Sequence, residues 1–140
     1  MTERRQLIFG TVAVALVGAA TAAECGKSDE IKPDLLFFGG DMTQWPENLE
    51  ADRPRLLNGV KTPWMVTPGN HDMGNSVTRT NLDRFRKVFG HDREARDVKG
   101  WRIIAGNSQF WHPTELKDER AAYEAWLAGE LTLGDSSGYD

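Results

Sequence analysis

At 140 residues the chain is the size of one domain, and its 39% hydrophobic and 27% charged residues supply a core and give no compositional reason for disorder. The net charge of −4 arises from interleaved acidic and basic side chains, which excludes the basic stripe that nucleic-acid binding requires. A single cysteine, Cys25, excludes an intramolecular disulfide and a zinc site built from thiolates alone.

The chain starts Met1-Thr2-Glu3-Arg4-Arg5-Gln6-Leu7-Ile8 and continues uncharged through Ala23. A basic start, an apolar middle and the small residues Ala20-Thr21-Ala22 predict an export signal over 1–22, and Arg4-Arg5 is similar to the twin-arginine pattern. That places the protein in the periplasm or outside the cell. The competing readings are a membrane anchor, for which the Ala- and Gly-rich run is marginal, and a buried helix.

After a polar linker, Leu35-Leu36-Phe37-Phe38 is too short for a helix and ends on Gly39-Gly40, which predicts a buried parallel strand. A loop from Thr43 leads into a helix that Pro54 delays or kinks and that Asn58-Gly59 and Pro63 end. Trp64-Met65-Val66-Thr67 is the next strand, turned sharply by Pro68-Gly69. Strand, helix and strand within about 35 residues make a βαβ unit, which sets Asp41 beside Asn70-His71 at one sheet edge. In open α/β sheets that edge is where ligands bind.

A second helix is predicted from about Thr80 to Phe89, with Leu82, Phe85, Val88 and Phe89 as its core face and Gly90 as its stop. Lys99-Gly100 leads to a third strand, Trp101 to Ala105, followed by Gly106-Asn107-Ser108. The last helix is expected over roughly Lys117 to Leu131, with Tyr123, Trp126, Leu127 and Leu131 on one face, before a polar tail at 132–140.

The two strand ends carry the chemistry. Asp at a strand terminus is a compact anionic ligand able to bridge two cations, and Asn offers a carbonyl oxygen to one hard or borderline metal. A neighbouring His can reach a substrate phosphate and protonate its leaving oxygen, while paired metals about 3.5–4 Å apart activate water and clamp the phosphoryl group. Gly39, Gly40 and Gly69 permit tight turns beside such a centre.

Gly39-Gly40-Asp41 followed by Gly69-Asn70-His71-Asp72 resembles the second and third signature blocks of the calcineurin-like metallophosphoesterases. The resemblance extends over about Ile31 to Leu131, through Ile31-Lys32-Pro33-Asp34, Asp72-Met73-Gly74-Asn75, Asn107-Ser108-Gln109-Phe110 and Trp126-Leu127. It implies an α/β fold that is part of an α-β-β-α sandwich, here about three strands with crossover helices. It also implies two divalent metals (Mn, Fe, Zn or similar), with Asp41 bridging them, Asn70 holding the second, His71 as catalytic acid and Asp72 supporting the loop or orienting His71. The substrate would be a phosphorylated small molecule or a phosphoprotein, hydrolysed as a monoester or diester.

The family's opening Asp-x-His block, its lone His and its Gly-His-x-His block have no counterpart in the sequence. His91 is followed at the next-but-one position by Arg93, and His112 lies in the loop after Gln109, nearer the substrate mouth. The expectation is therefore a truncated or internally deleted phosphoesterase. The alternatives are a non-catalytic remnant and a binding subunit that completes its site with another chain.

Overall fold

The computed structural model describes residues 14–17 and 32–136. Among them, three strands form one parallel sheet in the order β1 (Val14–Val17), β2 (Leu35–Phe38), β3 (Trp64–Val66), and β4 (Glu94–Val98) pairs antiparallel with β5 (Trp101–Ala105) in a separate hairpin. The helices are α1 (Leu49–Leu57), the one-turn α2 (Asn70–Met73), α3 (Arg79–Phe89) and α4 (Lys117–Ser136). This is a mixed α/β arrangement, as the resemblance implies. No helix among the described residues is long and apolar enough to cross a membrane.

The strand β2 is central, and its alternation feeds two cores. Leu36 and Phe38, with Val66 of β3, face a helical layer containing Leu49, Met73, Leu82, Phe85, Phe89, Phe110 and Tyr123. Leu35 and Met65 face the other way and pack with Ala105, Phe37, Val98 and Ile103, so the hairpin covers the second face. Apolar cover on both faces explains why Leu-Leu-Phe-Phe reads as an unbroken hydrophobic run. Each fully buried Leu or Phe contributes about 1.5–3 kcal/mol by leaving water.

The α3 helix begins with Thr78 Oγ1 accepting from Asn81 N at 3.2 Å and ends on Gly90 at φ 87°, the left-handed stop its sequence signals. Its Phe85 and Phe89 rings lie 4.7 Å apart, and Trp64 meets Phe89 edge-on at 6.4 Å.

Four features differ from expectation. Val14–Val17, inside the run assigned to an export signal, pairs with β2 from Val14↔Leu35 to Val17↔Phe38. Uncharged Val and Leu suit a buried parallel strand as well as a signal's apolar middle. The rest of the 1–22 assignment lies outside the described residues. Trp101–Ala105 is a strand, but its partner is Glu94–Val98. Lys99 (φ 48°) and Gly100 (φ 86°) make a two-residue hairpin turn with both centres left-handed, and the charged Glu-Ala-Arg-Asp of β4 hides that strand from a hydrophobic reading. Pro54 does not delay α1, which starts at Leu49, holds Pro54 inside it, ends at Asn58 as expected and buries only Leu49. Finally, α4 continues through Ser136 into the stretch read as a tail, and Leu131 is exposed rather than packed.

Candidate active site

The backbone leaves β2 through two consecutive left-handed residues, Gly40 at φ 111° and Asp41 at φ 54°. A non-glycine residue held there is a local strain sustained by its surroundings. The surroundings are the loop after β3. A Cβ on Gly40 would lie 2.6 Å from Gly69 N and 2.7 Å from Gly69 Cα, and one on Gly69 would lie 2.1 Å from Asp41 Oδ1. The two strand ends therefore touch backbone to backbone, at a distance only glycine permits.

This contact brings the sequence-predicted residues together. The His71 N–H donates to Asp41 Oδ1 at 3.1 Å, and Asn70 precedes His71 at the start of α2. Asp41, Asn70 and His71 are all half-buried, with access to solvent. The His71 imidazole is placed by Gln44: its Nδ1 lies 3.1 Å from Gln44 Nε2 and 3.1 Å from the Gln44 carbonyl oxygen. Either tautomer finds a partner, since Nδ1–H can donate to the carbonyl and bare Nδ1 can accept from the amide. Asn70 Nδ2 donates to Asn75 Oδ1 at 3.0 Å.

Asp72 is fully buried. One carboxylate oxygen accepts from Thr43 N at 3.1 Å and the other from Gly69 N at 2.8 Å, so a single side chain ties both loops. Burial pushes its pKa up to about 6; the N–H groups of Gly69, Met42 and Thr43 pull it down, and the Asp41 charge adds to the rise. Its hydrogen bonds go to the loops rather than to the His71 ring. Thr43 extends the clamp, its hydroxyl donating to Asp52 Oδ2 at 2.7 Å and being placed 3.0 Å from Trp45 O.

The remaining histidines have other surroundings. His91 Nε2 is 3.2 Å from Glu94 Oε2 in the connection between α3 and β4. His112 caps the turn Ser108–Trp111 with its ring in solvent. Asn107 is fully buried and structural, accepting from Gln109 N at 3.1 Å and donating to Asp92 Oδ2 at 3.2 Å.

Sequence reasoning missed Gln44 and Thr43, which carry no motif signal, and gave Asn75 no role. Asn75 was detectable in principle, because an Asn directly after Gly at a helix end is a common left-handed residue.

The model of the family described as calcineurin-like phosphoesterase matches residues 17–129. The chain belongs to this family. Its curated relatives include the serine/threonine-protein phosphatase CPPED1 of Pongo abelii, 29% identical over 111 residues covering 73% of this chain and 35% of the relative. The Homo sapiens protein is 28% identical over 111 residues, at 73% and 35%, and that of Danio rerio 28% over 111 residues, at 73% and 36%. The chain thus spans about a third of the length of the curated relatives it matches. No solved structure matches it.

Members of this family generally use divalent metals, and Asp41 and Asn70 are hard oxygen donors that fit such a cation in kind. They do not fit it in number alone, since no group of three or more His, Cys, Asp or Glu placed to hold a metal occurs among the described residues.

Proposed function

We propose that Asp41, Asn70 and His71 form one side of a phosphoester-hydrolysing site whose divalent cations take their remaining ligands from outside the described residues. The observation that carries this reading is the 3.1 Å bond from His71 N to Asp41 Oδ1, which makes one site of two strand ends far apart in sequence. Asp41 and Asn70 would hold the cations, which when bound would withdraw charge from the phosphoryl oxygens and make the attacking water acidic. With Nδ1 engaged by Gln44, His71 keeps Nε2 for substrate, where it holds a proton and delivers it to the departing ester oxygen. That the relatives are serine/threonine-protein phosphatases favours phosphoserine or phosphothreonine in a protein over other phosphorylated substrates.

The test is metal content together with hydrolysis of aryl phosphates by the purified chain. Bound Mn, Fe or Zn with turnover that His71→Ala abolishes supports the reading. A folded chain with neither metal nor turnover overturns it for this polypeptide. The second outcome would favour a non-catalytic binding subunit or remnant, a reading supported by the two-donor set.

Export through the twin-arginine-like segment is part of the same proposal, supported by Arg4-Arg5 before the uncharged run. Cleavage after Ala22 would remove strand β1, so a periplasmic chain beginning near Ala23 supports export and a full-length chain retained in the cytoplasm overturns it.

A further inference from the structure

We infer that the cavity between the α2–α3 connection and the loop leading into α4 docks polypeptide. It receives the stretch beside a phosphorylated residue, with an apolar side chain on its floor and a Lys or Arg against Glu115. The inference rests on the protein-substrate reading above and requires no cation.

The cavity measures about 630 Å³, within the range of ligand sites, and its two walls are residues 76–79 and 113–116. The walls are pinned to each other. Thr114 Oγ1 donates to Val77 O at 2.9 Å and accepts from Leu116 N at 3.1 Å, so the shape exists before any ligand arrives. Val77, Pro113 and Leu116 supply apolar lining, and Ser76, Thr78 and Glu115 an exposed polar rim. Apolar surface with a few polar groups around it suits side chains of an extended peptide.

Charge selects the kind of peptide. Arg79, the lining cation, is shared by Asp118 at 3.2 Å and by Glu119. Glu115 is exposed and takes no part in that ion-pair group. The charge the lining leaves for a ligand is therefore negative, which favours a basic side chain.

Position ties the cavity to the candidate site. Ser76 follows Asn75, whose Oδ1 accepts from Asn70 Nδ2 at 3.0 Å. Bond lengths then place Ser76 Cα within about 10 Å of that amide, the span of about three residues of extended chain. A peptide with its phosphorylated residue at His71 can lay its neighbours along the cavity.

The test is NMR on the full 15N-labelled chain with no metal added. The probes are a blocked hexapeptide carrying Leu and Lys on one side of a serine, its phosphoserine form, and a form with Glu in place of Lys. The Lys peptides, phosphorylated or not, are expected to shift the Val77, Thr78, Glu115 and Leu116 amides, and the Glu form to need about tenfold more peptide. Glu115→Gln should weaken the Lys peptides about threefold, as loss of an exposed ion pair does. Ser76→Trp, which fills the mouth from an exposed position, should abolish the shifts. Silent cavity amides overturn the inference, as do equal responses to the Lys and Glu forms or to lysine amide alone. If the phosphorylated peptide moves only Gly69 and His71, the inference falls and the phosphoester reading stands. Cavity shifts in a chain without turnover leave the docking site and remove the enzyme.

Discussion

Two polar regions of this chain are built in opposite ways. Between α3 and α4, charged side chains satisfy one another. Arg86 donates to both Glu119 oxygens, at 3.0 and 2.8 Å, and to Asp92 Oδ1 at 2.8 Å; Arg79 reaches Glu119 and Asp118; and Arg93 lies over the Tyr123 and Trp126 rings at 5.9 and 5.6 Å. At the ends of β2 and β3 the backbone is what is tied down, by glycine contacts and by buried Asp72, while Asp41, Asn70 and His71 remain open to solvent. In the first region the charges of Arg79, Arg86 and Glu119 are consumed in holding helices together. In the second, Asp41, Asn70 and His71 each give one side-chain atom to a local hydrogen bond and keep access to solvent. A rigid frame under solvent-accessible polar groups is what a binding or catalytic site needs.

The contrast is most sharply broken at Gly40. An added methyl there meets Gly69 backbone at 2.6 Å and must adopt φ 111°, so neither a rotamer change nor a small shift relieves it. Gly40→Ala is expected to destabilise by about 3 kcal/mol or more and to separate the two strand ends, as overpacking and backbone strain add. Urea unfolding measures the loss, and a change below about 1 kcal/mol would show that the loops do not depend on the contact.

Asp72→Ala comes next. It strands the N–H groups of Thr43 and Gly69 and is expected to cost about 2–3 kcal/mol. Asp72→Asn, which keeps an acceptor, should cost about half of that in the same assay.

The charged seam predicts a pH effect instead. The Arg86 and Arg79 guanidiniums, against some opposing burial, hold the Glu119 carboxyl down to about 2, below its ordinary 4.5. Because the folded value is the lower one, the stabilisation is complete above pH 4.5 and disappears as pH falls from there towards 2. Partial exposure screens the pair, so the term is worth about 1 kcal/mol. Wild-type melting temperature should fall more steeply than that of Glu119→Gln across that window, and parallel curves would remove Glu119 from the account.

These regions also differed in how far the sequence disclosed them. The site was legible down to Asp41 beside Asn70-His71, because short apolar runs ending in Gly constrain a chain to parallel strands with adjoining ends. The helical core was legible from Leu82, Phe85 and Phe89. The hairpin was not, because β4 is Glu-Ala-Arg-Asp-Val, whose charges pair with neighbours such as Arg102 and Arg96 instead of marking a buried face. Nor were the supports of the site. Gln44 acts partly through its backbone carbonyl, which no side-chain pattern encodes, and Thr43 joins Asp52 and Asp72 through tertiary contacts alone.

The smallest predicted effect tests where the seam ends. Helical spacing places Leu131 in line with Tyr123 and Leu127, yet Tyr123 is 1% exposed and Leu131 57%. Arg102 Nε donates to Glu130 Oε2 at 3.0 Å, and Leu131 and Leu133 just past that contact are exposed. Leu131→Gln should therefore change unfolding free energy by less than about 0.5 kcal/mol, as surface substitutions do. A loss above about 1.5 kcal/mol would mean that the apolar face of α4 is packed along its whole length, and the division between a consumed polar seam and an open helix end would have to be redrawn.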